Sequence, residues 1–257
     1  MNLNQVAAQL YTIRDYLKTP SEIAVSLKKI SQIGYRAVQC SGLGPIAEDE
    51  LFKLCAGEGL VICATHESSE AILKEPQRIA KRLESLGTKI TAYPYPGGVN
   101  FDTLEAVKDF CRKLNASGKV LHEAGLILCY HNHQIEFRRL AGRSILEIIY
   151  AETDSRYLQG EPDTYWIQNG GGDVVEWCNK LKGRLPIIHL KDCTVLSNGQ
   201  VSVAEIGNGN LNWKRIVAAA EQAGCQWYAV EQDSCPGDPF ESLKQSFEYL
   251  RDNLCSK

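Results

Sequence analysis

The sequence holds no block of lysine and arginine, no CxxC pair and no apolar run near the roughly 18 residues of a membrane span. Each absence removes a class of protein. With 28 Lys+Arg against 31 Asp+Glu the formal net charge is -3, so the basic stripe of a nucleic-acid binder is missing and no nucleic-acid partner is expected. The opening residues Met1-Asn2-Leu3-Asn4-Gln5 lack the charged and apolar segments of a secretion signal, from which we expect a cytoplasmic protein without a membrane partner. In that setting 10 cysteines without CxxC spacing read as reduced, small apolar residues rather than a disulfide framework or a zinc-thiolate site. A glycine fingerprint is missing too. Gln9-Leu10-Tyr11-Thr12-Ile13-Arg14 contains no Gly, and Gly97-Gly98 and Gly170-Gly171-Gly172 lack phosphate-loop spacing, which argues against a nucleotide-binding doubly wound sheet.

What fills the chain is a recurring phrase: an amphipathic helix, a glycine, then a short apolar run ending in polar residues. It reads Gly34 then Tyr35 to Cys40, Gly59 then Leu60 to His66, and Gly87 then Thr88 to Tyr93. It returns as Leu126 to His133 after Gly125, Leu185 to Asp192 after Gly183, and Gln226 to Asp233 after Gly224. Glycine just past a helix supplies the left-handed turn, and short runs of Val, Ile, Leu and Tyr suit buried parallel strands. Adding Val6 to Leu10 and Tyr157 to Asp163 gives eight strands. The spacing predicts helices near 20–33, 47–58, 69–86, 101–123, 144–152, 171–181, 211–223 and 238–253. Eight such units in 257 residues fit an α/β fold closed as a single (β/α)8 TIM barrel domain over residues 1–257, for which about 250 residues is typical.

In such a barrel the loops after the strands build the active site, so the residues closing each run are the informative ones. They are Gln9, His66, Tyr93 with Tyr95 beyond it, His131 and His133, Glu161 and Asp163, His189, Lys191 and Asp192, then Glu231 and Asp233. Four of the five histidines fall at these ends, and only His122 lies within a helix. Side chains two apart on a strand share a face, so the four doublets His131/His133, Glu161/Asp163, His189/Lys191 and Glu231/Asp233 can each point together. Imidazole and carboxylate ligands without thiolate suit Mn²⁺, Mg²⁺, Co²⁺, Fe²⁺ or Zn²⁺. A metal-free network of ion pairs is the alternative reading of the same residues.

The segments Tyr130-His131-Asn132-His133-Gln134-Ile135-Glu136-Phe137, Asp163-Thr164-Tyr165-Trp166, Ile188-His189-Leu190-Lys191-Asp192 and Val230-Glu231-Gln232-Asp233 resemble the sugar phosphate isomerase/epimerase family. This is the xylose isomerase-like barrel group, which also holds inosose dehydratases, ketose 3-epimerases and endonuclease IV. The likeness runs over essentially the whole chain. It implies one divalent metal, manganese first among the candidates, on Asp163, His189 and Glu231. Epimerases of the group add a fifth-strand Glu that is both ligand and acid/base. The register puts Cys129 there, so His131 is carried as fourth ligand, with Glu161 as a second candidate. His133, Lys191 and His66 become the candidates for acid, base and oxyanion work, and Glu161, Trp166, Gln9 and Tyr93 the substrate-binding set, with Tyr11 and Tyr95 as further walls for a ring. Endonuclease chemistry would need more metal ligands and a basic patch that this chain lacks.

The chemistry expected of such a site is proton removal next to a carbonyl of a keto-sugar or cyclitol, through an enediolate. Reprotonation would make the protein an isomerase or epimerase; loss of a β-substituent would make it an inosose dehydratase or keto-sugar lyase. A barrel that binds a sugar without turnover is the non-enzyme alternative. Dimers and tetramers are common in the group, so a homo-oligomer is among the expectations.

Overall fold

Helix boundaries are set by local chemistry. Thr19 and Glu22 form a capping box around Pro20, and Gly34 at φ 125° ends the helix after Ile33. In the computed structural model, which describes residues 1–255, this helix (α1, Pro20–Ile33) matches the predicted range. It is followed by α2 (Glu48–Gly57), α3 (Ser69–Lys74), α4 (Pro76–Ser85), α5 (Leu104–Glu123) and α6 (Ile145–Ala151). The last four are α7 (Thr164–Asn169), α8 (Val174–Lys180), α9 (Trp213–Ala223) and α10 (Pro239–Asn253).

Two predicted helices are corrected. The 69–86 range is divided because Pro76 has no amide to continue α3 and instead occupies the first turn of α4. The 171–181 range starts only at Val174, where the Asp173 side chain accepts from the Glu176 amide; a separate helix, α7, precedes it, capped by Asp163.

The barrel strands are β1 (Val6–Gln9), β2 (Ala37–Cys40), β3 (Val61–His66), β4 (Ile90–Tyr93), β5 (Ile127–His131), β6 (Gln159–Glu161), β7 (Ile187–Leu190) and β8 (Trp227–Val230). They pair in parallel in the order β6-β5-β4-β3-β2-β1-β8-β7. Between β6 and β7 the ring is nearly closed by one bridge, Asp163 to His189, with the His189 amide donating to the Pro162 carbonyl at 2.9 Å. Two predicted metal ligands thus lie on the seam. The barrel interior carries Ala7, Ala37, Ala64, Ala92 and Ala229 with Cys129, and these small residues leave axial room above them for the larger polar side chains at the strand ends. All 10 cysteines are free.

Asp192 does not close the seventh strand as predicted. It opens an antiparallel hairpin, Asp192–Val195 with Val201–Ala204. Its buried carboxylate accepts from the amides of Gly207 (2.9 Å) and Gly209 (3.2 Å) and from Trp213 Nε1 (2.7 Å), pinning the loop ahead of α9. A Cβ at Gly209 would lie 2.3 Å from that carboxylate, so the close approach requires glycine. No helix of the described residues is long and apolar enough to cross a membrane.

Candidate active site

Strand parity decides which polar residues meet. On β5 Tyr130 points outward, where it stacks on Tyr93 at 5.8 Å, so Cys129 and His131 point inward. The same parity corrects the placement of Tyr93: it is buried between sheet and helices against Phe110, away from the mouth, while Ala92 takes the inward position. Glu161 and Asp163 both face the axis, as do His189 and Lys191, and all four are fully buried.

The ligand atoms of His131, Asp163, His189 and Glu231 lie within 4.8 Å of one another. His131 Nδ1 is 3.1 Å from the Pro94 carbonyl. A carbonyl only accepts, so Nδ1 carries the hydrogen and Nε2 offers its lone pair toward Asp163 Oδ2 at 3.4 Å. His131 Nε2 is buried without a hydrogen-bond partner, the pattern expected of an atom that a cation would satisfy, and Asp163 Oδ2 beside it makes no well-aligned hydrogen bond although the Lys191 ammonium lies 3.0 Å away. The donor set therefore fits one divalent ion of the Mn²⁺, Mg²⁺, Co²⁺, Fe²⁺ or Zn²⁺ kind.

His189 joins this cluster to a second one. Its Nδ1 lies 3.0 Å from Glu231 Oε2, while Nε2 faces Glu161 Oε1 at 2.9 Å and Gln39 Oε1 at 2.7 Å. Gln39 Nε2 in turn donates to Glu161 Oε2 at 2.9 Å, and His66 Nε2 contacts Glu161 Oε1. Burial alone would lower the His189 pKa, but Glu161 and Glu231 outweigh it and hold it up near 10. Burial would raise Glu161; His66 and His189 hold it far below the usual carboxylate range. Burial keeps His66 low, hence neutral at pH 7.

Lys191 is the cationic hub. Its ammonium lies 3.0 Å from Asp163, 2.8 Å from Glu231 and 2.9 Å from Asp233, carboxylates that hold its pKa up against burial. It also sits 5.2 Å from the ring of Trp166, whose amide donates to Asp163 Oδ1. His133 packs between Tyr95 (5.0 Å) and Trp166 (5.3 Å), and its buried Nδ1 has no partner. Burial, then His131, drives its pKa down to about 3. His66, His131, His133, Lys191 and Glu231 face one pocket of about 430 Å³.

Gln9 is buried at the end of β1 with an unpartnered side-chain nitrogen, in register with Gln39. Gln39 was not among the predicted site residues. Only its place near the end of an apolar run marks it, and it carries no charge to draw notice. Yet its orientation is coupled to Glu161. In Glu161→Gln the new amide either keeps its oxygen toward Gln39 and turns its NH₂ on His189 Nε2 and His66 Nε2, or opposes the Gln39 NH₂ and makes Gln39 flip. Either way an NH₂ is aimed at His189 Nε2, which favours the ring hydrogen on Nδ1, the ligand atom. Glu161→Gln is therefore expected to weaken divalent-ion affinity about 10–100-fold while the ion-free protein keeps its fold, measured by competition titration alongside thermal unfolding.

A family model described as xylose isomerase-like TIM barrel matches residues 27–253. An inosose dehydratase of Geobacillus thermodenitrificans is 25% identical over an alignment 156 positions long that covers 54% of this chain and 52% of that protein. The chain thus matches about half the length of that relative. A sugar phosphate isomerase/epimerase from Parabacteroides distasonis has a similar structure, with a TM-score of 0.84 at 21% identity over 98% of this chain and 95% of that one. A xylose isomerase-like TIM barrel protein from Mycobacterium smegmatis, in complex with magnesium, gives 0.73 at 14% identity over 98% and 97%. At these identities the two structures speak for the fold.

Proposed function

The chain belongs to the xylose isomerase-like TIM barrel family, and we propose that it is a metal-dependent enzyme that removes a proton next to the carbonyl of a keto-sugar or cyclitol. The observation that carries this reading is the convergence of His131, Asp163, His189 and Glu231 on one buried point beside the pocket that holds His133 and Lys191. Those four residues would hold the divalent ion, and when bound it would supply Lewis-acid polarisation of the carbonyl. The magnesium in the Mycobacterium smegmatis relative supports an ion of this hard, divalent kind.

The chain's own groups divide the remaining work. His133 lines the pocket, is neutral at pH 7 and keeps a buried, unpartnered Nδ1, so it takes the α-proton. The Lys191 ammonium, held charged by three carboxylates, stabilises the enediolate oxygen. His66, on the pocket wall with its Nε2 engaged by Glu161, returns or delivers a proton on the other side. Trp166 and Tyr95 flank His133 and confine the ring.

Two outcomes branch from that intermediate: reprotonation, giving an isomer or epimer, and departure of a β-hydroxyl as water. One observation favours the second. The position where epimerases of the group keep a Glu holds Cys129, a thiol buried below His131 with a pKa pushed up by burial, so no carboxylate from β5 brackets the substrate. The inosose dehydratase relative points the same way.

The test is proton exchange. Protein loaded with Mn²⁺ is incubated with hexuloses and inososes in D₂O and followed by NMR. Deuterium at the carbon next to the carbonyl is the expected result; loss of water from the same substrate would select the dehydratase. Retention of the ion with neither change in any substrate would sink the enzymatic reading and leave a sugar-binding barrel.

A further inference from the structure

The charge on the pocket walls identifies the kind of substrate more narrowly. Of the three carboxylates that line it, Glu231 belongs to the assigned metal set, which leaves Glu67 and Asp233 against one ammonium, that of Lys191. The Lys191 charge is balanced within the chain by Asp163, Glu231 and Asp233, each within 3.0 Å. The cations just outside are committed too. Arg82 Nε holds Glu67 at 3.0 Å and its other arm engages Glu48, while Arg14 lies over the Tyr11 ring and donates to the carbonyls of Tyr11 and Asp233. Two helices that begin beside these residues are capped by side chains of this chain, α3 by Ser68 and α7 by Asp163.

A phosphate ester needs arginine, lysine or free backbone amides around its oxygens. This pocket offers it fixed carboxylates instead. What the walls do offer is suited to a neutral polyol. Glu67 is fixed by Arg82 and its carboxylate accepts from hydroxyls, and Ser41 and Ser68 add hydroxyls of their own. Tyr11 and Tyr95 present rings that are 38% and 52% exposed, large enough to cover one face of a sugar or cyclitol.

We infer that the substrate is an uncharged, unphosphorylated polyhydroxylated ring, and that the Glu67 and Asp233 carboxylates on the pocket wall exclude phosphorylated analogues. This rests on the carbonyl-substrate reading above and narrows it.

The test is calorimetric titration of the Mn²⁺-loaded protein with a hexulose, an inosose, the corresponding hexulose phosphate and inorganic phosphate. The neutral ligands are expected to bind at least about tenfold more tightly than the ester, since like-charge juxtaposition works against it. Glu67→Lys is expected to narrow or reverse that preference. Glu67→Gln, which keeps a hydrogen-bonding partner for Arg82, tests the same wall should the lysine variant fail to fold, and is expected to weaken the neutral ligand and relieve exclusion of the ester. Wild-type protein that binds the ester as tightly as the neutral sugar, or binds no neutral ligand, overturns the inference, as does unchanged selectivity in both variants. Neutral-sugar binding without exchange in D₂O would overturn the enzymatic reading and leave this one standing; exchange seen only in the phosphate ester would do the reverse.

Discussion

His189→Ala is expected to lower divalent-ion affinity by more than about 100-fold, beyond the range usual for losing an outer-shell partner, because a direct ligand goes with its ring. The measurement is metal content of protein purified without a chelating tag, followed by competition titration. Two effects oppose each other. Removing the ring removes a nitrogen donor next to Asp163 and Glu231, and it also removes a positive charge from beside Glu161 and Glu231, which by itself would favour a cation. A directional ligand wins only if the ion is coordinated rather than attracted, so wild-type affinity in the variant would sink the assigned site. The proton balance gives a second readout. In the ion-free protein His189 holds its proton up to about pH 10, and coordination through Nδ1 must displace it. Ion uptake by the wild type at pH 7 therefore releases a proton, and affinity rises with pH, by up to about tenfold per unit for one proton displaced. The alanine variant should lose that part of the release.

Much of the barrel was legible because each boundary had its own chemical mark. Gly34 marked the end of α1 after Ile33, and Gly224, in the left-handed conformation, ends α9 where predicted. Where the signal is a period rather than a stop, detail is lost. The amphipathic pattern runs through Pro76, so α3 and α4 look like one helix, and the hairpin after β7 is hidden because Asp192 resembles another strand-closing acid. The site was legible from the doublets at strand ends, since residues two apart share a face and charged residues seldom end a buried strand without cause. Tyr93 went astray because strand parity cannot be fixed without knowing the neighbour: its outward turn follows from register with Tyr130. Gln39 was missed for the opposite reason. An amide matters here only through the His189 tautomer it supports, and that coupling joins residues 150 positions apart.

Lys191→Met should have the largest effect on stability of any single change in the site. The ammonium is buried at the meeting point of Asp163, Glu231 and Asp233, and breaking a buried ion pair by removing one partner costs about 3–5 kcal/mol. Methionine has a similar length and fills the space against Trp166, so the loss is of charge rather than volume. The pH dependence has a definite sign. Asp163 and Glu231, despite burial, are held below the usual carboxylate range by Lys191 and the nearby histidines, so the stability they contribute is present above their unfolded pKa and is lost as pH falls through the folded value. In the methionine variant those carboxylates lack the ammonium and take up protons at higher pH, which makes them neutral and cheaper to bury. The stability gap between wild type and variant is therefore expected to be widest near pH 7 and to narrow as pH falls through the variant's carboxylate pKa values toward the depressed wild-type ones, as read by denaturant unfolding across the acid range. A divalent ion should partly replace the lost charge, so the variant's melting temperature is expected to rise more on adding Mn²⁺ than that of the wild type. Proton exchange should nevertheless stay depressed, because the ion cannot supply the group that Lys191 presents to the substrate oxygen. A Lys191→Met protein as stable as the wild type and indifferent to Mn²⁺ would mean that the three carboxylates are balanced by something other than this ammonium, and the role given to Lys191 would fall with it.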